Sequence, residues 1–257
     1  MLKKPSLLFK LLLTLLLGFF PLKTNAQITP SSDGTNTIIT PNGNQINITG
    51  GSLNQNQTNL FHSFSQFNLN QDQIANFLSQ PNIINILGRI TGGTPSNING
   101  LIQVTGGNSN LYLMNPSGII FGQNASLNVT GDFTATTANA IGIGNNWFNA
   151  IGNNNYNILT GNPNGFAFLT QNPGSIINAG NLQTPQGSIT LLGGTVINTG
   201  TISTANGNIT ITATPGEKLV KISQEGSILS LQLPIDKTGL NPVTNTPLSL
   251  PQLLTGG

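Results

Sequence analysis

The chain has 257 residues, of which 5% are charged and 37% are hydrophobic. Such low charge excludes classical disorder, which combines high net charge with low hydrophobicity. The 31 glycines and the abundant Asn and Thr are typical of a chain with many turns, and the absence of cysteine excludes disulfides. The length fits one elongated all-β domain as well as two compact domains.

Residues 1–26 have the pattern of a secretory signal peptide. Lysines precede an apolar stretch at residues 11–20, LLLTLLLGFF, which is shorter than the roughly 20 residues of a transmembrane helix. Thr24-Asn25-Ala26 provides small residues at the expected cleavage offsets. We therefore predict cleavage after Ala26, a mature chain that starts at Gln27, and no stable membrane span after cleavage. An uncleaved anchor is the alternative.

Removal of the signal peptide changes the charge of the protein. The precursor has a formal net charge of +2, and four of its eight basic residues lie in the signal peptide. The mature chain retains four basic and six acidic residues, so it has a formal charge of −2. Without a basic surface there is no footprint for phosphates, and nucleic acid is excluded as a partner.

Two apolar segments in the stretch LYLMNPSGIIFG are separated by a polar tetrapeptide. The tetrapeptide consists of Asn115, Pro116, Ser117 and Gly118. Proline fixes its own φ and holds the preceding residue extended, whereas glycine tolerates a positive φ. The pattern predicts a tight β-turn between a strand at Leu111–Met114 and a strand at Ile119–Phe121.

A repeat follows, with INAGNLQTPQGSITL starting at Ile177 and INTGTISTANGNITI starting at Ile197, an offset of 20 residues. A fixed short period indicates one structural unit stacked on its copy. Short strands separated by Gly and Asn favour a parallel β-helix, with a β-sandwich as the alternative. In this register Ile177 stacks beneath Ile197. Ile189 likewise stacks beneath Ile209, and all four side chains are predicted to point inward.

The C-terminal region differs in composition from the rest. Residues 217–237 hold all six charges that follow Asp132. We predict terminal strands or a cap at 217–233, with an edge strand at Leu229–Leu233. The prolines that follow predict an extended linker or tail at 234–257.

The residue types of the mature chain give little support for a catalytic site. His62 is the only histidine and has no evident acidic partner, so a packed or a surface imidazole is expected. Arg89, the only basic residue from 27 to 216, is predicted to pair with Asp72 or Asp132 or to donate to carbonyls at a coil edge. A solvated Arg89 is the alternative. We expect no enzyme, no metal site and no cofactor.

Three segments carry a resemblance to a known family. They are FHSFSQFNLN at 61–70, ILGRITGGTPSNINGLI at 86–102 and NLYLMNPSGIIFGQNASLNVTGDFTATTANAI at 110–141. In this order and spacing they resemble the filamentous-haemagglutinin N-terminal domain, the secretion domain of TpsA-type two-partner secretion exoproteins. The tetrapeptide at 115–118 matches the family's Asn-Pro-x-Gly motif, with serine where Asn or Ala is common. The family's Asn-Pro-Asn-Leu signature has no clear counterpart.

The resemblance implies both a fold and a function. The fold is all-β, a right-handed parallel β-helix over residues 27–216 with short extra-helical hairpins and a capped N-terminus. The implied protein is non-enzymatic and passes through the periplasm of an outer-membrane-bearing bacterium. Periplasmic receptor domains of an outer-membrane β-barrel transporter recognise it, with the Asn115–Gly118 motif as the secretion motif, and it folds outside the cell or at the cell surface.

Three functional interpretations remain open. The chain is the N-terminal part, or a truncated form, of a haemagglutinin-like adhesin that uses two-partner secretion. Alternatively, it is a short stand-alone surface adhesin that binds a host or surface glycan or protein through an Asn/Thr-rich face. A lyase-like β-helix enzyme is the third interpretation, and the scarcity of acidic and basic residues opposes it.

Overall fold

The computed structural model describes residues 27–221 and 231–234. The predicted signal peptide and the predicted tail beyond residue 234 lie outside these ranges. The regular secondary structure of the described part consists of β-strands and one short 3-10 helix at Tyr156–Ile158. It contains no helix that is long and apolar enough to cross a membrane.

The largest sheet has eight strands and forms the first face of the molecule. Its strands are β1 (Ile28–Pro30), β4 (Ser52–Leu53), β5 (Asn59–Phe67), β7 (Asn85–Ile90), β10 (Asn110–Met114), β13 (Phe133–Thr136), β19 (Ile189–Gly193) and β22 (Ile209–Ala213). From β5 to β22, successive strands of the sheet pair in parallel. Leu111, for example, pairs with Ile86 on one side and with Phe133 on the other.

Two further sheets form the other faces. The seven-stranded sheet contains β2 (Thr37–Asn42), β3 (Gln45–Gly50), β6 (Ile74–Leu78), β9 (Leu101–Thr105), β12 (Ser126–Asn128), β18 (Asn181–Thr184) and β21 (Thr201–Thr204). The four-stranded sheet contains β8 (Ser96–Ile98), β11 (Ile119–Phe121), β17 (Ser175–Asn178) and β20 (Thr195–Asn198). All neighbours in the four-stranded sheet pair in parallel.

The chain passes through the three faces in turn. From β10 it crosses to β11, then to β12, and returns to the first face at β13. This path is a parallel β-helix, so the predicted all-β fold is confirmed. Apolar side chains of successive coils stack inside it, and the core includes Leu111, Leu113, Ile119, Phe121, Phe133, Ile176, Leu182, Ile189 and Leu191.

A second layer covers the outside of the eight-stranded sheet. The chain leaves the helix after β13 and returns at β17, and in between it forms β14 (Ala140–Ile143), β15 (Asn146–Asn149) and β16 (Pro163–Phe168). These strands pair antiparallel, and β23 (Lys218–Lys221) and β24 (Leu231–Pro234) extend their sheet beside β16. The two C-terminal strands therefore belong to this extra-helical sheet and do not stack on the last coil.

The extra layer explains why the sequence of β10 is apolar without alternation. Leu111 and Leu113 face the interior of the β-helix, whereas Tyr112 and Met114 face the extra-helical layer and pack with Phe148 in a second core. A strand that is buried on both faces has apolar residues at consecutive positions.

Antiparallel strands occupy the N-terminal end of the β-helix. β1 and β4 pair antiparallel with β5, and β2 forms a hairpin with β3. The hairpin turns at Gly43-Asn44, because Asn42 pairs with Gln45, and Gly43 has a φ of 59°. Glycine is favoured at the first position of such a two-residue loop because it adopts a positive φ without strain. These strands form the predicted cap at the N-terminal end of the β-helix.

The predicted stacking of the repeat is confirmed. Ile177 pairs with Ile197, and Ile189 pairs with Ile209, in parallel strands. The period of 20 is limited to this pair of coils, since Leu111 pairs with Phe133, 22 positions later. Coil length therefore varies along the helix, because the turns between strands have different lengths.

The predicted inward orientation is wrong for Ile177 and Ile197. Ile176 is buried in the core, whereas its neighbour Ile177 is half-buried and Ile197 is 46% exposed. A shift of one residue reverses the face of every side chain, and two adjacent isoleucines leave that phase undetermined. Ile189 is fully buried, as predicted. Ile209 is 46% exposed because no described strand pairs with the far edge of β22.

Candidate functional site: the Asn115–Gly118 corner

The tetrapeptide forms the corner between the first face and the four-stranded sheet. The backbone N–H of Gly118 donates to the carbonyl oxygen of Asn115 at 3.0 Å, and Gly118 has a φ of 122°. The strand before the corner starts at Asn110, one residue earlier than predicted, and ends at Met114. The predicted β-turn is confirmed.

The Asn115 side chain is fully buried, and both polar atoms of its amide are hydrogen-bonded. Its Nδ2 donates to the carbonyl oxygen of Thr94 and to Oγ of Ser96, both at 3.0 Å. Its Oδ1 accepts from the backbone N–H of Ser117 at 3.0 Å. The Asn115 backbone N–H donates to the carbonyl oxygen of Thr136 at 2.9 Å. Asn115 thus links its own coil to the preceding and the following coil.

Backbone groups pack closely against the corner. The N–H of Gly174 donates to the carbonyl oxygen of Pro116 at 3.2 Å, and a Cβ atom at Gly174 would lie 2.5 Å from that oxygen. On the other side, Ser96 donates its N–H to the carbonyl oxygen of Gly118 at 3.0 Å. A Cβ atom at Gly118 would lie 3.1 Å from the carbonyl oxygen of Ser175. The positive φ and this contact both favour glycine at position 118.

The folded corner offers little for another protein to recognise. Asn115 and Gly118 are buried, and Pro116 and Ser117 are half-buried. The Asn115 amide already uses its donors and acceptor inside the domain, so it is not available to a partner. The motif is fully accessible only in the unfolded chain.

Arg89 lies on the outer face of β7, beneath the extra-helical layer, and is 1% exposed. Its Nη2 forms an ion pair with Oδ2 of Asp33 at 2.8 Å. Its Nη1 donates to the carbonyl oxygens of Asn149 and Gly152, both at 2.8 Å, and its Nε donates to Oγ of Ser63 at 3.0 Å. One guanidinium thus joins the N-terminal segment, the β-helix and the extra-helical hairpin.

The predicted acidic partners of Arg89 are wrong. Asp33 replaces Asp72 and Asp132 as the partner, and the solvated alternative is also wrong. Donation to backbone carbonyls is confirmed, but the two carbonyls belong to the extra-helical hairpin and not to a coil edge. Asp33 lies 56 positions before Arg89, and only the folding of the N-terminal segment against β5 brings them together. No local sequence signal reports such a contact.

Asp33 is the acceptor at the centre of this cluster. Burial alone would raise the pKa of Asp33, but hydrogen bonds from Ser63, Thr35 and Arg89 outweigh burial and lower this pKa to about 2. The Thr35 hydroxyl also lies 2.6 Å from the hydroxyl of Tyr156 in the extra-helical layer. The carboxylate is therefore charged and fully engaged, which suits a structural tie and not a proton-transfer group.

His62 is the packed imidazole that was one of the two expected alternatives. It is fully buried inside the β-helix, with its ring centroid 6.1 Å from that of Phe64 and 5.9 Å from that of Phe77. Its Nδ1 lies 3.4 Å from the hydroxyl of Thr37, and its Nε2 has no hydrogen-bond partner. Burial lowers the pKa of His62 to about 3. No acidic side chain in the described part of the chain is hydrogen-bonded to His62, so the orienting acid of a catalytic triad is missing there.

Within the described ranges, no group of three or more His, Asp or Glu side chains is arranged to hold a metal ion.

Similarity to a known family identifies the domain. The family model of the TPS (two-partner secretion) secretion domain matches residues 26–256. The chain belongs to this family.

Two solved secretion domains are similar to this chain. The HMW1 secretion domain from Haemophilus influenzae is 25% identical, with a TM-score of 0.59 over 80% of this chain and 48% of that chain. The present chain thus spans about half the length of that HMW1 chain. The filamentous hemagglutinin secretion domain is 17% identical, with a TM-score of 0.49 over 81% of this chain and 68% of that chain. No match was found among curated proteins.

Proposed function

We propose that this TPS domain is a non-enzymatic secretion signal, recognised by the periplasmic receptor domains of an outer-membrane β-barrel transporter. The domain then folds at the cell surface as the N-terminal part, or a truncated form, of a haemagglutinin-like adhesin. The observation that carries the proposal is the complete burial of the Asn115 amide, with all its hydrogen bonds satisfied inside the domain. The motif serves as a label before folding and as a corner after it.

The unfolded chain has suitable properties for such recognition. Pro116 disfavours helical backbone at Asn115 and keeps the segment extended. The segment is therefore suited to add as a strand to the edge of a receptor sheet. The chain carries no charge from Phe133 to Gly216, and strand-forming residues are frequent on both sides of the motif. An extended, uncharged chain offers free backbone donors and acceptors to a receptor sheet edge.

Folding outside the outer membrane supplies the direction of transport in this proposal. Each new coil adds parallel backbone hydrogen bonds and buries apolar side chains against the preceding coil, as Ile189 does between β13 and β22. In a solenoid these nearest-neighbour contributions accumulate coil by coil. The chain is therefore drawn outward without nucleotide hydrolysis.

Substitutions in the corner test the proposal. We expect Asn115→Ala, Pro116→Ala and Gly118→Val to reduce secretion more than their loss of stability accounts for. The first variant also leaves buried partners unsatisfied and is expected to lower the free energy of unfolding by about 1–3 kcal/mol. Secretion through the cognate transporter and the unfolding midpoint of the purified, refolded domain are measured for each variant.

Asn178→Ala is the matched control. Asn178 is also fully buried at a coil corner, accepts from the N–H of Gly180 at 3.1 Å and donates to Oδ1 of Asn198 at 2.7 Å. It lies outside the motif, so its substitution destabilises the domain without altering the label. If the amount secreted decreases with the unfolding midpoint in the same way for all four variants, the corner has no role in recognition.

The start of the mature chain is part of the same proposal. Cleavage after Ala26 predicts that N-terminal sequencing of the secreted protein begins at Gln27. Retention of the apolar stretch at 11–20 in the secreted protein would contradict it.

Direct binding of a glycan is the second candidate function, because the outer face of the seven-stranded sheet is rich in amides and hydroxyls. However, many of these groups bind one another along the coils. Asn76 donates to Asn47 at 2.9 Å, and the Thr105 hydroxyl donates to Asn76 at 2.9 Å. This Asn/Thr-rich face therefore has fewer free donors than its composition suggests. Loss of binding to glycan-coated surfaces in Asn128→Ala, an exposed position of the face, tests this candidate.

A further inference from the structure

Four asparagines of the chain are followed directly by glycine, namely Asn42, Asn99, Asn164 and Asn206. In such a pair the backbone nitrogen of the glycine attacks the side-chain carbon Cγ of the asparagine more readily than in other pairs, because glycine has no Cβ atom beside the reacting groups. The attack requires a glycine nitrogen and an asparagine amide that hydrogen bonds do not hold, and a backbone that is able to bend. The fold meets these requirements unequally at the four pairs.

The pair Asn99-Gly100 is held between coils. Oδ1 of Asn99 accepts from the backbone N–H of Asn124 at 3.1 Å. Gly100 is buried, and a Cβ atom at this position would overlap with the carbonyl oxygens of Asn70 and Gln73. Neither the amide nor the backbone nitrogen is therefore free to move toward the other.

The pair Asn164-Gly165 lies inside β16 in the middle of the extra-helical sheet. Gly165 is buried and pairs with Gly142 of β14 on one side and with Lys221 of β23 on the other. Nδ2 of Asn164 donates to the carbonyl oxygen of Gly144 at 3.0 Å. A strand that is paired on both sides must open before its backbone nitrogen reacts, so the fold protects this pair as well.

The pair Asn206-Gly207 is exposed at its asparagine but held at its glycine. Gly207 donates its N–H to Oγ1 of Thr204 at 3.0 Å. A Cβ atom at Gly207 would overlap with the carbonyl oxygen of Gly187 in the preceding coil. The reacting nitrogen is therefore occupied, and breaking one hydrogen bond before the attack slows the reaction about fivefold.

The pair Asn42-Gly43 differs from the other three at each of these points. Residues 41–44 are all exposed, and a Cβ atom at Gly43 would have no heavy atom within 4 Å. Among the hydrogen bonds of the described part, none involves the Gly43 N–H or the side-chain amide of Asn42. Within the described ranges β2 pairs only with β3, so its end at Asn42 opens without separating any other pair of strands.

We propose that Asn42 is a site of spontaneous deamidation in the folded protein. The Gly43 nitrogen bonds to Cγ of Asn42 and loses its proton, which passes through water to the departing Nδ2. The bond from Cγ to Nδ2 breaks, ammonia leaves, and a cyclic succinimide forms. Water then opens the ring at either carbonyl carbon and gives aspartate or isoaspartate. Only water is consumed and only ammonia is released.

Either product places a negative charge beside the loop that joins β2 and β3 in the N-terminal cap. Isoaspartate also adds a methylene group to the main chain before Gly43, which disturbs the pairing of Asn42 with Gln45. The carbonyl oxygen of Asn44 accepts from the N–H of Ile74 at 2.9 Å, so the loop remains tied to β6. The modification therefore loosens the end of the cap hairpin and leaves the stacked coils intact. It does not depend on export or on glycan binding.

Peptide mapping of the purified, refolded protein tests the proposal. The protein is incubated in mildly alkaline buffer, and its peptic peptides are analysed by mass spectrometry for a gain of about 1 Da. We expect the peptide with Asn42 to convert about tenfold faster than the peptides with Asn99 and Asn164, and about fivefold faster than the peptide with Asn206. A rate at Asn42 that does not exceed the rates at the other three would overturn the proposal.

Incubation of the unfolded protein is the control. In concentrated urea each of the four asparagines is followed by glycine in an open chain, so we expect the four rates to become similar. This result would assign the differences in the folded protein to burial and hydrogen bonding. If Asn42 reacts faster than the others by the same factor in urea, the local sequence determines its rate, which contradicts protection of the other pairs by the fold.

Two substitutions test the reaction itself, with circular dichroism to confirm that each variant is folded. Asn42→Gln keeps an amide at this position but requires a larger ring, so the gain of mass in this peptide should be lost. A gain that persists would place the reaction at another residue and overturn the proposal. Thr204→Val removes the hydroxyl that holds the Gly207 N–H and is expected to raise the rate at Asn206 about fivefold. An unchanged rate at Asn206 would contradict the protection by hydrogen bonding on which the order of rates depends.

Discussion

Arg89 holds three parts of the molecule at one point. Its side chain is buried, and its four observed hydrogen bonds reach an acidic residue, a hydroxyl and two carbonyl oxygens. The guanidinium also lies 5.9 Å from the ring of Phe148. A buried cation of this kind is tolerated only because its donors are satisfied and an anion lies beside it.

Loss of Arg89 should be costly. Arg89→Ala removes the cationic partner of Asp33 and one donor each from Ser63 and the carbonyl groups of Asn149 and Gly152. We expect the free energy of unfolding to fall by about 3 kcal/mol. Chemical denaturation measures this change. Asp72→Asn, at an exposed position, serves as the control and is expected to change stability by about 0.5 kcal/mol or less. Equal effects of the two substitutions would contradict a role of Arg89 in joining the layers.

His62 makes stability depend on pH. Because burial lowers the pKa of His62 to about 3, the unfolded chain binds a proton near pH 6.5 while the folded chain does not. Protonation of the unfolded state below pH 6.5 therefore destabilises the fold progressively as the pH falls toward 3. At pH 5 the expected loss is roughly 2 kcal/mol relative to neutral pH.

Unfolding midpoints between pH 7 and 5 test the effect, with His62→Phe as the matched variant. The substitution should flatten the profile in this window. Asp33 acts at lower pH, since its lowered pKa contributes stability above pH 3.8 that is lost as the pH falls through about 2. A profile that keeps its slope between pH 7 and 5 in His62→Phe would assign the dependence to other groups.

At the scale of elements, each strand of the β-helix has an inner and an outer face, but the outer environment differs between sheets. The eight-stranded sheet is covered by the extra-helical layer, so both faces of β10 are apolar. The four-stranded sheet has no such cover in the described ranges, and its outward residues are more exposed. Strand phase therefore matters most where only one face is buried.

Ile176 and Ile177 give a direct test of strand phase. Ile176→Ala removes a fully buried side chain from the core and is expected to lower the free energy of unfolding by about 2–5 kcal/mol. Ile177→Ala changes a half-buried outward residue of the same strand, and we expect a loss of about 1 kcal/mol or less. Denaturant titration of both variants decides the phase. The reverse order of effects would place Ile177 in the core.

The whole molecule is a stack of coils with unequal support. The N-terminal coils end in the antiparallel cap and lie under the extra-helical layer. No described strand pairs with the far edge of the last described coil. Ile209 and Ile211 on this coil are 46% and 48% exposed. In solenoids the stability of a unit depends on its neighbours, so this end is expected to open first.

Hydrogen exchange measures that difference. We expect amides of β7 and β10 to exchange slowly and together, and amides of β20, β21 and β22 to exchange fastest among the parallel strands. The physical reason is that the central strands pair on both sides, whereas the last three pair on one side within the described part. Uniform protection from β7 to β22 would indicate that the coils open as one cooperative unit.

The sequence by itself determined the features that depend on local backbone constraints and on repetition. The short strands and the repeat predicted coil stacking and the β-helix, and the Asn-Pro-Ser-Gly stretch predicted the corner, because proline and glycine restrict φ wherever they occur. The family resemblance of the quoted segments was also visible in the sequence. None of these features requires knowledge of distant contacts.

Only the tertiary structure decided which faces are buried and which charges meet. The phase of β17 follows from turns that set whether Ile176 or Ile177 faces inward. The pairing of Asp33 with Arg89 and the outer cover of β10 follow from a chain that returns across the first face. Such contacts join residues far apart in sequence, and no local rule fixes them, because their stability comes from packing and desolvation in the assembled fold.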